Sequence, residues 1–356
     1  ATLTGVDLTD DPIAIRTPWT VVTNHLIAWD TPAPPDYRRS KGDLFVLIDD
    51  GWAPFFDDVD ANIDWRWISW GGVFIDDRPL GDTDRCVPGC IPALDDPTLV
   101  TAEEGDYYPD DAIVFGVDEG GEAVAFPKNV MQVHEMVNVT IGGRRFGIPY
   151  CTLCGSAQAF ATDEVPGRDD PLVLRTSGLL NRSNKVMYDH STMSVFDTFT
   201  GAAVSGPLQD EGVVLEQHSV TVSTWGEWKR EHPNTSIVAE DAGLGRTYPD
   251  DPLDGRDDNG PIFPIGDVDT RLGVHEPVLG VLLDDGSTIA FSVDSLRTAL
   301  ADADEVRYRD VTVTRDGGGF EASTDDAEVG VHEAFWFAWS QFHPDTLLWP
   351  NDADGS

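Results

Sequence analysis

The chain has 356 residues, with 64 Asp and Glu against 23 Lys and Arg, and its formal net charge is −41. Nucleic-acid phosphates and anionic membranes would repel such a surface, so both classes of partner are excluded. Hydrophobic residues make up 40% of the chain, enough for a packed core, and no apolar run approaches the roughly 18 residues of a transmembrane segment. Because high salt screens repulsion between carboxylates, the composition predicts a salt-adapted, haloarchaeal protein.

Residues 1–85 are predicted to form a β-rich N-terminal extension or small domain. Short runs rich in strand-forming residues alternate there with Pro, Gly and Asp, and they cover 13–16, 19–23, 25–29 and 43–48. Three tryptophans at alternating spacing predict a half-buried strand over 65–70.

Residues 86–350 are predicted to be the core domain, followed by an acidic tail over 351–356. Predicted strands cover 112–117, 122–126, 139–141, 145–150 and 172–176. Predicted helices cover 127–137, 223–232 with Ser223 as the N-cap, and 292–301, whereas 241–270 reads as a long solvated loop. The fold class is therefore mainly β, a β-rich α+β fold with a few short helices and antiparallel sheets in a sandwich- or barrel-like arrangement.

The sequence begins with Ala1 rather than Met, which we interpret as the mark of a signal peptide that has been removed. This predicts an extracellular or cell-surface location. Three Asn-x-Ser/Thr sequons are compatible with a glycosylated surface, at Asn138, Asn181 and Asn234.

Four cysteines form two pairs, Cys86 with Cys90 and Cys151 with Cys154. The first pair encloses a Val-Pro-Gly loop, and a disulfide is at least as good an interpretation as a metal site. The second pair follows a predicted strand and precedes Gly155, and such a turn directs backbone N–H groups at the thiolates. For Cys151 and Cys154 the alternatives are a metal site, a disulfide or redox dithiol, or inert thiols.

The best additional metal ligands near the second pair in sequence are His134, Met187 and His190. Cys, His and Met together favour copper, and Cys with His favours zinc. Glu135 could orient His134 or simply lie in solvent. The competing interpretation is that His134 is hydrogen-bonded inside the core and Met187 fills space there.

Many segments in a fixed order resemble the family known as domain of unknown function 3179, over about residues 91–346. The matching segments cover 91–97, 134–138, 141–143, 150–155, 177–180, 186–189, 224–228, 276–280, 335–339 and 342–346. The resemblance implies an exported protein whose His-Glu and Cys-x-x-Cys motifs form a metal or redox centre. The sequence departs from the family pattern at Val133, at Thr152 and over 196–198 (Phe196 to Thr198).

Three functions follow from these observations. The first is an exported metal-binding protein in which His134, Cys151 and Cys154 bind copper or zinc with Met187 or His190. The second is a structural subunit of an extracellular filament, pilus or sheath, which would assemble with copies of itself into a homo-oligomer or filament by strand exchange through the N-terminal segment, with the cysteines as disulfides. The third is a thiol-disulfide oxidoreductase that uses Cys151. No catalytic residue is assigned, because no hydrolase triad or phosphate-binding loop stands out.

Overall fold

The computed structural model describes residues 33–84, 86, 89–255, 260–261, 265–283, 285–324 and 327–352. The predicted strands over 13–16, 19–23 and 25–29, and most of the predicted acidic tail, lie outside this range. Within it, no helix is long and apolar enough to cross a membrane.

Helices are few and short in the described part of the chain. They are α1 (Tyr37–Phe45), α2 (Ala53–Asp57), α3 (Lys128–His134), α4 (Pro207–Asp210), α5 (Trp225–Glu231), α6 (Val293–Ala299) and α7 (Trp336–Phe342). The predicted helices over 127–137, 223–232 and 292–301 are confirmed as α3, α5 and α6, each slightly shorter than predicted.

The strands form five small sheets. Sheet 1 has the order β1 (Ile68–Trp70), β10 (Leu174–Asn181), β11 (Asn184–Asp189), β12 (Val195–Phe196). Sheet 2 has the order β13 (Gln217–His218), β9 (Ala159–Ala161), β7 (Arg144–Cys151), β6 (Met136–Ile141), β2 (Leu94–Asp95), and β8 (Ser156–Ala157) also pairs with β7.

The other three sheets are built in the same way from short, mostly antiparallel strands. Sheet 3 has the order β14 (Thr221–Thr224), β4 (Ile113–Glu119), β5 (Glu122–Pro127), β15 (Ser236–Val238), β3 (Leu99–Thr101). Sheet 4 has the order β22 (Val331–Phe335), β16 (Pro277–Leu282), β17 (Thr288–Ser292), β23 (Leu347–Trp349). Sheet 5 has the order β18 (Val306–Tyr308), β19 (Val311–Asp316), β20 (Gly319–Thr324), β21 (Ala327–Val329).

The predicted fold class is confirmed in its main features, a mainly β chain with short helices and antiparallel sheets. The sandwich-like arrangement is wrong, because the five small sheets look like the blades of a five-bladed propeller. Alternation of apolar and polar residues predicts strands with one buried face, and such strands occur in both sandwiches and propellers. The alternation does not show which strands pair with each other, and so it does not predict how many strands each sheet has.

Sheets 3 and 4 share one topology. In each, an outer strand leads into a helix and then into a final strand that pairs in parallel with the second strand of a hairpin. The helices α5 and α7 carry Trp228 and Trp339, whose rings lie directly over Gly116 and Gly280 of the hairpins. A Cβ at either glycine would come within 2.3 or 2.1 Å of the tryptophan ring, so only glycine fits there.

The predicted strand over 43–48 is wrong. Its first residues belong to α1, where Gly42 lies against Phe56 and the ring of Phe45 packs 5.7 Å from that of Trp52. The predicted strand over 65–70 is confirmed only at its end, as β1. The N-cap of α5 is Thr224 instead of Ser223, because the Thr224 side chain accepts a hydrogen bond from the backbone N–H of Glu227.

Candidate dithiol site

Cys151 and Cys154 lie in the tight turn that links β7 to β8. The backbone N–H of Cys154 donates to the Cys151 carbonyl at 3.2 Å, and the N–H of Phe335 donates to the Cys154 carbonyl at 2.8 Å. Gly155 closes the turn at a φ of 59°, and a Cβ there would lie 2.8 Å from the Phe335 ring. Sheet 4 thus holds the turn in place through β22.

Both thiols are free and buried, and they share one hydrogen-bond acceptor. The Ser183 carbonyl oxygen lies 3.8 Å from the Cys151 sulfur and 3.4 Å from the Cys154 sulfur. The two residues are only 1% and 0% exposed. The Cys154 thiol also hydrogen-bonds to the Cys151 sulfur, so the two sulfurs are neighbours and are placed to form a disulfide.

The two thiols differ in acidity. Burial raises the pKa of Cys151, but hydrogen bonds from the Cys154 thiol and from the backbone N–H groups of Lys185 and Cys154 bring it below its usual range. Burial raises the pKa of Cys154 well above its usual range, and the neighbouring Cys151 sulfur raises it further. The pair therefore favours one thiolate, at Cys151, beside one thiol, at Cys154.

A buried pair of opposite charges, Glu135 and Lys185, lies beside the cysteines. Lys185 Nζ is 3.7 Å from Glu135 Oε2 and also donates to the backbone carbonyl of Glu135. The Thr152 hydroxyl donates to Glu135 Oε1 at 2.8 Å. Burial raises the pKa of Glu135 and lowers that of Lys185, while their mutual attraction opposes both shifts.

The backbone brings Glu135 to the cysteines by an uncommon conformation. Glu135 has a φ of 52° and ends α3, with its N–H donating to Met131. A non-glycine residue in this left-handed region costs about 1 kcal/mol or more, and such residues concentrate at functional sites. This residue also explains why α3 is shorter than predicted.

Cys151, Glu135 and Lys185 face a cavity of about 270 Å³. Thr152 lies on the same wall, and most of the remaining lining is apolar: Val73, Ile91, Leu153, Leu179, Leu180 and Leu253. Cys151 lines the cavity, whereas Cys154 does not. The thiolate thus faces a small, mostly apolar space that contains one buried ion pair.

The structure does not bring His134 to the cysteines. Its Nδ1 lies 2.7 Å from the Pro92 carbonyl, and its Nε2 lies 2.7 Å from the Tyr248 hydroxyl. The carbonyl requires a proton on Nδ1, so Nε2 accepts from Tyr248 and has no free lone pair for a metal. Burial lowers the pKa of His134 to about 4, which keeps the ring neutral. The Glu135 side chain, which was predicted to orient His134 or lie in solvent, instead contacts Lys185 and Thr152.

Met187 and His190 also lie in other surroundings. Met187 is fully buried on β11 and packs in an apolar cluster with Phe160 and Phe196. His190 Nε2 lies 2.9 Å from the Asp77 carbonyl. The structure thus gathers Cys151, Cys154 and Glu135 of the predicted set and places His134, Met187 and His190 elsewhere.

Cys86 and Cys90 are joined as a disulfide, as one of the two interpretations predicted. Among the described residues, only these two and Asp76 bring three ligand atoms of His, Cys, Asp or Glu within 4.8 Å of one another. The Asp76 carboxylate is fully buried and already holds Arg78 at 2.7 and 2.9 Å and the Ala93 N–H at 2.7 Å. An arginine on the carboxylate and a disulfide on the sulfurs both disfavour a cation there.

The three sequons differ in accessibility. Asn138 is 1% exposed, and its amide nitrogen donates to Asp95 at 2.9 Å and to the Leu174 carbonyl at 3.0 Å. It therefore has no room for a glycan in the folded chain. Asn181 lies at the end of β10 and is half-buried, whereas Asn234 is exposed.

A comparison with protein families matches residues 88–327 to a protein family of unknown function, DUF3179. The matched segment covers most of the chain. The chain belongs to this family. The DUF3179 segment contains the turn of Cys151 and Cys154 together with Glu135 and Lys185, and it ends before α7. Comparisons with curated proteins and with solved structures gave no match.

Thr152 and Thr198, which belong to the positions that the sequence analysis set apart from the expected family pattern, contact the site. Thr152 supplies the hydroxyl bound to Glu135, and the Thr198 hydroxyl donates to the Lys185 carbonyl at 2.9 Å. Val133, another of these positions, is partly buried against the core. Thr152 and Thr198 therefore supply polar contacts to Glu135 and Lys185.

Sequence reasoning missed Lys185. It is one of only four lysines in the chain and stands directly before the apolar run Val186, Met187, Tyr188. In so acidic a protein, a lysine next to an apolar strand pattern indicates a buried cation that needs an acidic partner. Lys185, two residues before Met187, could therefore have been predicted from the sequence as a buried cation.

Proposed function

We propose that Cys151 and Cys154 form a redox-active dithiol that cycles between a dithiol and a disulfide. One observation carries the proposal: two free thiols share the Ser183 carbonyl, have opposite pKa shifts, and only the more acidic one lines the cavity. In this scheme Cys151 is the attacking thiolate and Cys154 is the resolving thiol.

Atoms and electrons balance in the proposed exchange between the dithiol and a disulfide substrate. The Cys151 thiolate attacks one sulfur of a disulfide substrate, forming a mixed disulfide and expelling the first thiolate, which is protonated. The Cys154 sulfur then attacks Cys151 and expels the second, while its own proton passes to that leaving thiolate. The protein has lost two electrons and the substrate has become two thiols.

A copper or zinc site built on Cys151 and Cys154 has less support. His134 uses both ring nitrogens on other partners, and Met187 and His190 lie in different surroundings. In the part of the chain that the structure describes, no group of three His, Cys, Asp or Glu ligands includes these thiols, and two thiols alone do not complete the tetrahedral set that structural zinc uses. Metal binding is therefore an outcome of the test below.

We extend the proposal to an exported protein at the cell surface or outside the cell. The Cys86–Cys90 disulfide supports it, because disulfides persist in oxidising compartments. The salt-adapted habitat rests on the net charge alone. Assembly into a filament stays a prediction of the sequence, since it depends on an N-terminal segment of which residues 1–32 lie outside the described residues.

The deciding experiment is a redox titration. The full chain, kept in high salt, is equilibrated in buffers of graded potential made from 2-mercaptoethanol and its small neutral disulfide, and free thiols are alkylated and counted by mass spectrometry. We expect the free thiols of Cys151 and Cys154 to disappear together as the buffer becomes more oxidising. The midpoint reduction potential should lie within the range of about −120 to −270 mV that dithiol catalysts span.

Three variants serve as controls for the titration. In Cys151→Ser and in Cys154→Ser, the remaining thiol should no longer disappear at this potential, because its partner is missing. In a chain that lacks Cys86 and Cys90, the thiols of Cys151 and Cys154 should still disappear together. Thiols that stay reduced in every buffer would contradict the proposal. One copper or zinc ion per chain that is lost in Cys151→Ser would replace it with the metal-binding function.

A further inference from the structure

We propose that the oxidant reduced by this dithiol is a small organic hydroperoxide that binds in the 270 Å³ cavity beside Cys151, Lys185, Glu135 and Thr152. This inference rests on the proposed redox function and names its substrate class. It is carried by the geometry of the cavity and by the side chains that share its wall.

The burial of the thiol limits the size of the substrate. Cys151 is 1% exposed, and the cavity in front of it holds about 270 Å³. A disulfide on the surface of a folded protein partner would have to place its sulfur about 2 Å from the attacking one in the product. Because Cys151 is 1% exposed, a folded partner could reach its sulfur only by displacing the residues around it, so the geometry favours a small molecule.

The lining of the cavity selects among small oxidants. Its walls are mostly apolar, with Ile91, Leu179, Leu180 and Leu253 among them, and its charged side chains are those of the Glu135–Lys185 pair. A disulfide of charged peptides would bring several ionised groups against these walls, each at a desolvation cost. An organic hydroperoxide has one polar O–O–H end and an apolar tail, which suits both parts of the lining.

The polar end of the cavity suits cleavage of an O–O bond. Lys185 is the hydrogen-bond donor on the wall that carries Cys151: Glu135 engages two of its three ammonium protons, which leaves one for the peroxide, and the Thr152 hydroxyl holds the Glu135 carboxylate in place. Donors directed at the peroxide oxygens stabilise the charge that develops on the departing oxygen. The ammonium of Lys185 can also give that oxygen a proton.

The reaction balances in atoms and electrons. The Cys151 thiolate attacks the terminal oxygen, an S–O bond forms, the O–O bond breaks, and the alkoxide takes a proton from Lys185 to leave as an alcohol. Cys151 is then a sulfenic acid. The Cys154 sulfur attacks it, the S–O bond breaks, and hydroxide combines with the Cys154 proton and leaves as water. An external dithiol returns the disulfide to two thiols and restores the cycle.

The test mixes the reduced full chain with cumene hydroperoxide and follows thiol loss by stopped flow. We expect Cys151 to react at least about a hundredfold faster than the same thiols in the urea-unfolded chain. The apolar walls predict faster oxidation by cumene hydroperoxide than by hydrogen peroxide. In Cys154→Ser, a dimedone probe should label a sulfenic acid at Cys151.

Two variants separate the polar donors from general effects of charge. Lys185→Met should slow the reaction about a hundredfold, as expected for loss of a general acid and charge donor. Lys229→Met removes a lysine that pairs with Asp110 at the surface and should leave the rate unchanged. Circular dichroism confirms that each variant is folded.

The inference fails if folded and unfolded chains react with cumene hydroperoxide at the same rate, or if a folded Lys185→Met reacts as fast as the wild type. Hydrogen peroxide reacting faster than cumene hydroperoxide would overturn the organic substrate class. A dithiol that equilibrates with the 2-mercaptoethanol buffers and yet reacts slowly with peroxides would leave the proposed redox function intact and refute this substrate class alone.

Discussion

The ammonium of Lys185 lies 3.7 Å from the carboxylate of Glu135 and donates to the backbone carbonyl of the same residue. Lys185 belongs to β11 of sheet 1, and Glu135 follows α3 directly before β6 of sheet 2. The pair therefore joins two sheets at the wall of the cavity that Cys151 faces. Removing either partner would leave the other buried and unpaired, which is strongly destabilising in general.

Lys185 is expected to stabilise the Cys151 thiolate. The negative charge on Cys151 raises the pKa of Lys185, and by reciprocity the ammonium lowers the pKa of the thiol. In Lys185→Met the pKa of Cys151 should rise by about one unit or more. A titration of thiolate ultraviolet absorbance measures it, with Lys229→Met as the control. An unchanged pKa would show that the backbone N–H groups alone set the acidity of Cys151.

Gly280 should not tolerate a side chain. A Cβ there would lie 2.1 Å from the ring of Trp339, so Gly280→Ala must displace a buried tryptophan and should lower the free energy of unfolding by about 3 kcal/mol. Gly273→Ala is the matched control, because its Cβ would meet only Glu276, at 3.7 Å. Urea unfolding in high salt compares the two. Equal stability of both variants would contradict the close packing of Trp339 on β16.

The hydroxyl of Thr346 is expected to stabilise α7. It accepts a hydrogen bond from Trp339 Nε1 at 3.0 Å, in a site where Thr346 is 2% exposed. Thr346→Val keeps the shape and leaves a buried donor without a partner, which should cost about 1–3 kcal/mol of unfolding free energy. Thr346→Ser should recover much of that loss in the same unfolding assay. If Val and Ser variants are equally stable, the hydrogen bond contributes nothing.

His343 is expected to destabilise the protein in acid. Burial lowers its pKa from 6.5 to about 4, and its Nε2 finds no hydrogen-bond partner in the part of the chain that the structure describes. Between pH 6.5 and 4 the unfolded chain binds a proton at this site and the folded chain does not, so stability falls as the pH falls. The loss is on the order of 3 kcal/mol by pH 4.

Replacing His343 with Phe isolates this effect. The aromatic ring can still pack on Trp339, whose ring centroid lies 4.2 Å away, but it has no titratable group. His343→Phe should therefore gain stability over the wild type as the pH falls from 6.5 to 4, with little difference above pH 7. Unfolding free energies at several pH values give the difference directly. A difference that stays constant over this range would refute the depressed pKa.

Much of the local structure was predictable from the sequence. Pro127 and Ser292 mark the starts of α3 and α6, and the turn at Cys151 follows from the strand before it and from Gly155. The apolar residues over 43–48 fit a strand in isolation, whereas the contact of Phe45 with Trp52 favours a helix. Tertiary packing overrode local pattern there.

The repeated topology of sheets 3 and 4 left a readable signal in the sequence. Two tryptophans, a His-Pro pair and a threonine follow one another with identical spacing in 225–235 and 336–346. In both copies the second tryptophan donates to the threonine, at 2.9 and 3.0 Å. Reading the two segments as copies of one unit would have predicted several similar small sheets instead of a sandwich.

The candidate site was predictable only in part. The Cys-x-x-Cys spacing indicated a thiol centre, and the structure places Glu135 beside it as well. His134 was adjacent in sequence to Glu135, but consecutive residues at the end of α3 point to different surroundings, His134 to Tyr248 and Glu135 to Lys185. The different directions of these two side chains cannot be predicted from their positions in the sequence, because they depend on the left-handed conformation of Glu135.

Disulfide mapping tests the central claim most directly. The reduced chain is oxidised with a small disulfide, digested and analysed by mass spectrometry, and a second sample is re-reduced with a dithiol before alkylation. We expect a peptide that links Cys151 to Cys154 in the first sample, and both thiols free again in the second. A link from either residue to Cys86 or Cys90, or two thiols that remain free after oxidation, would contradict a redox-active pair at this site.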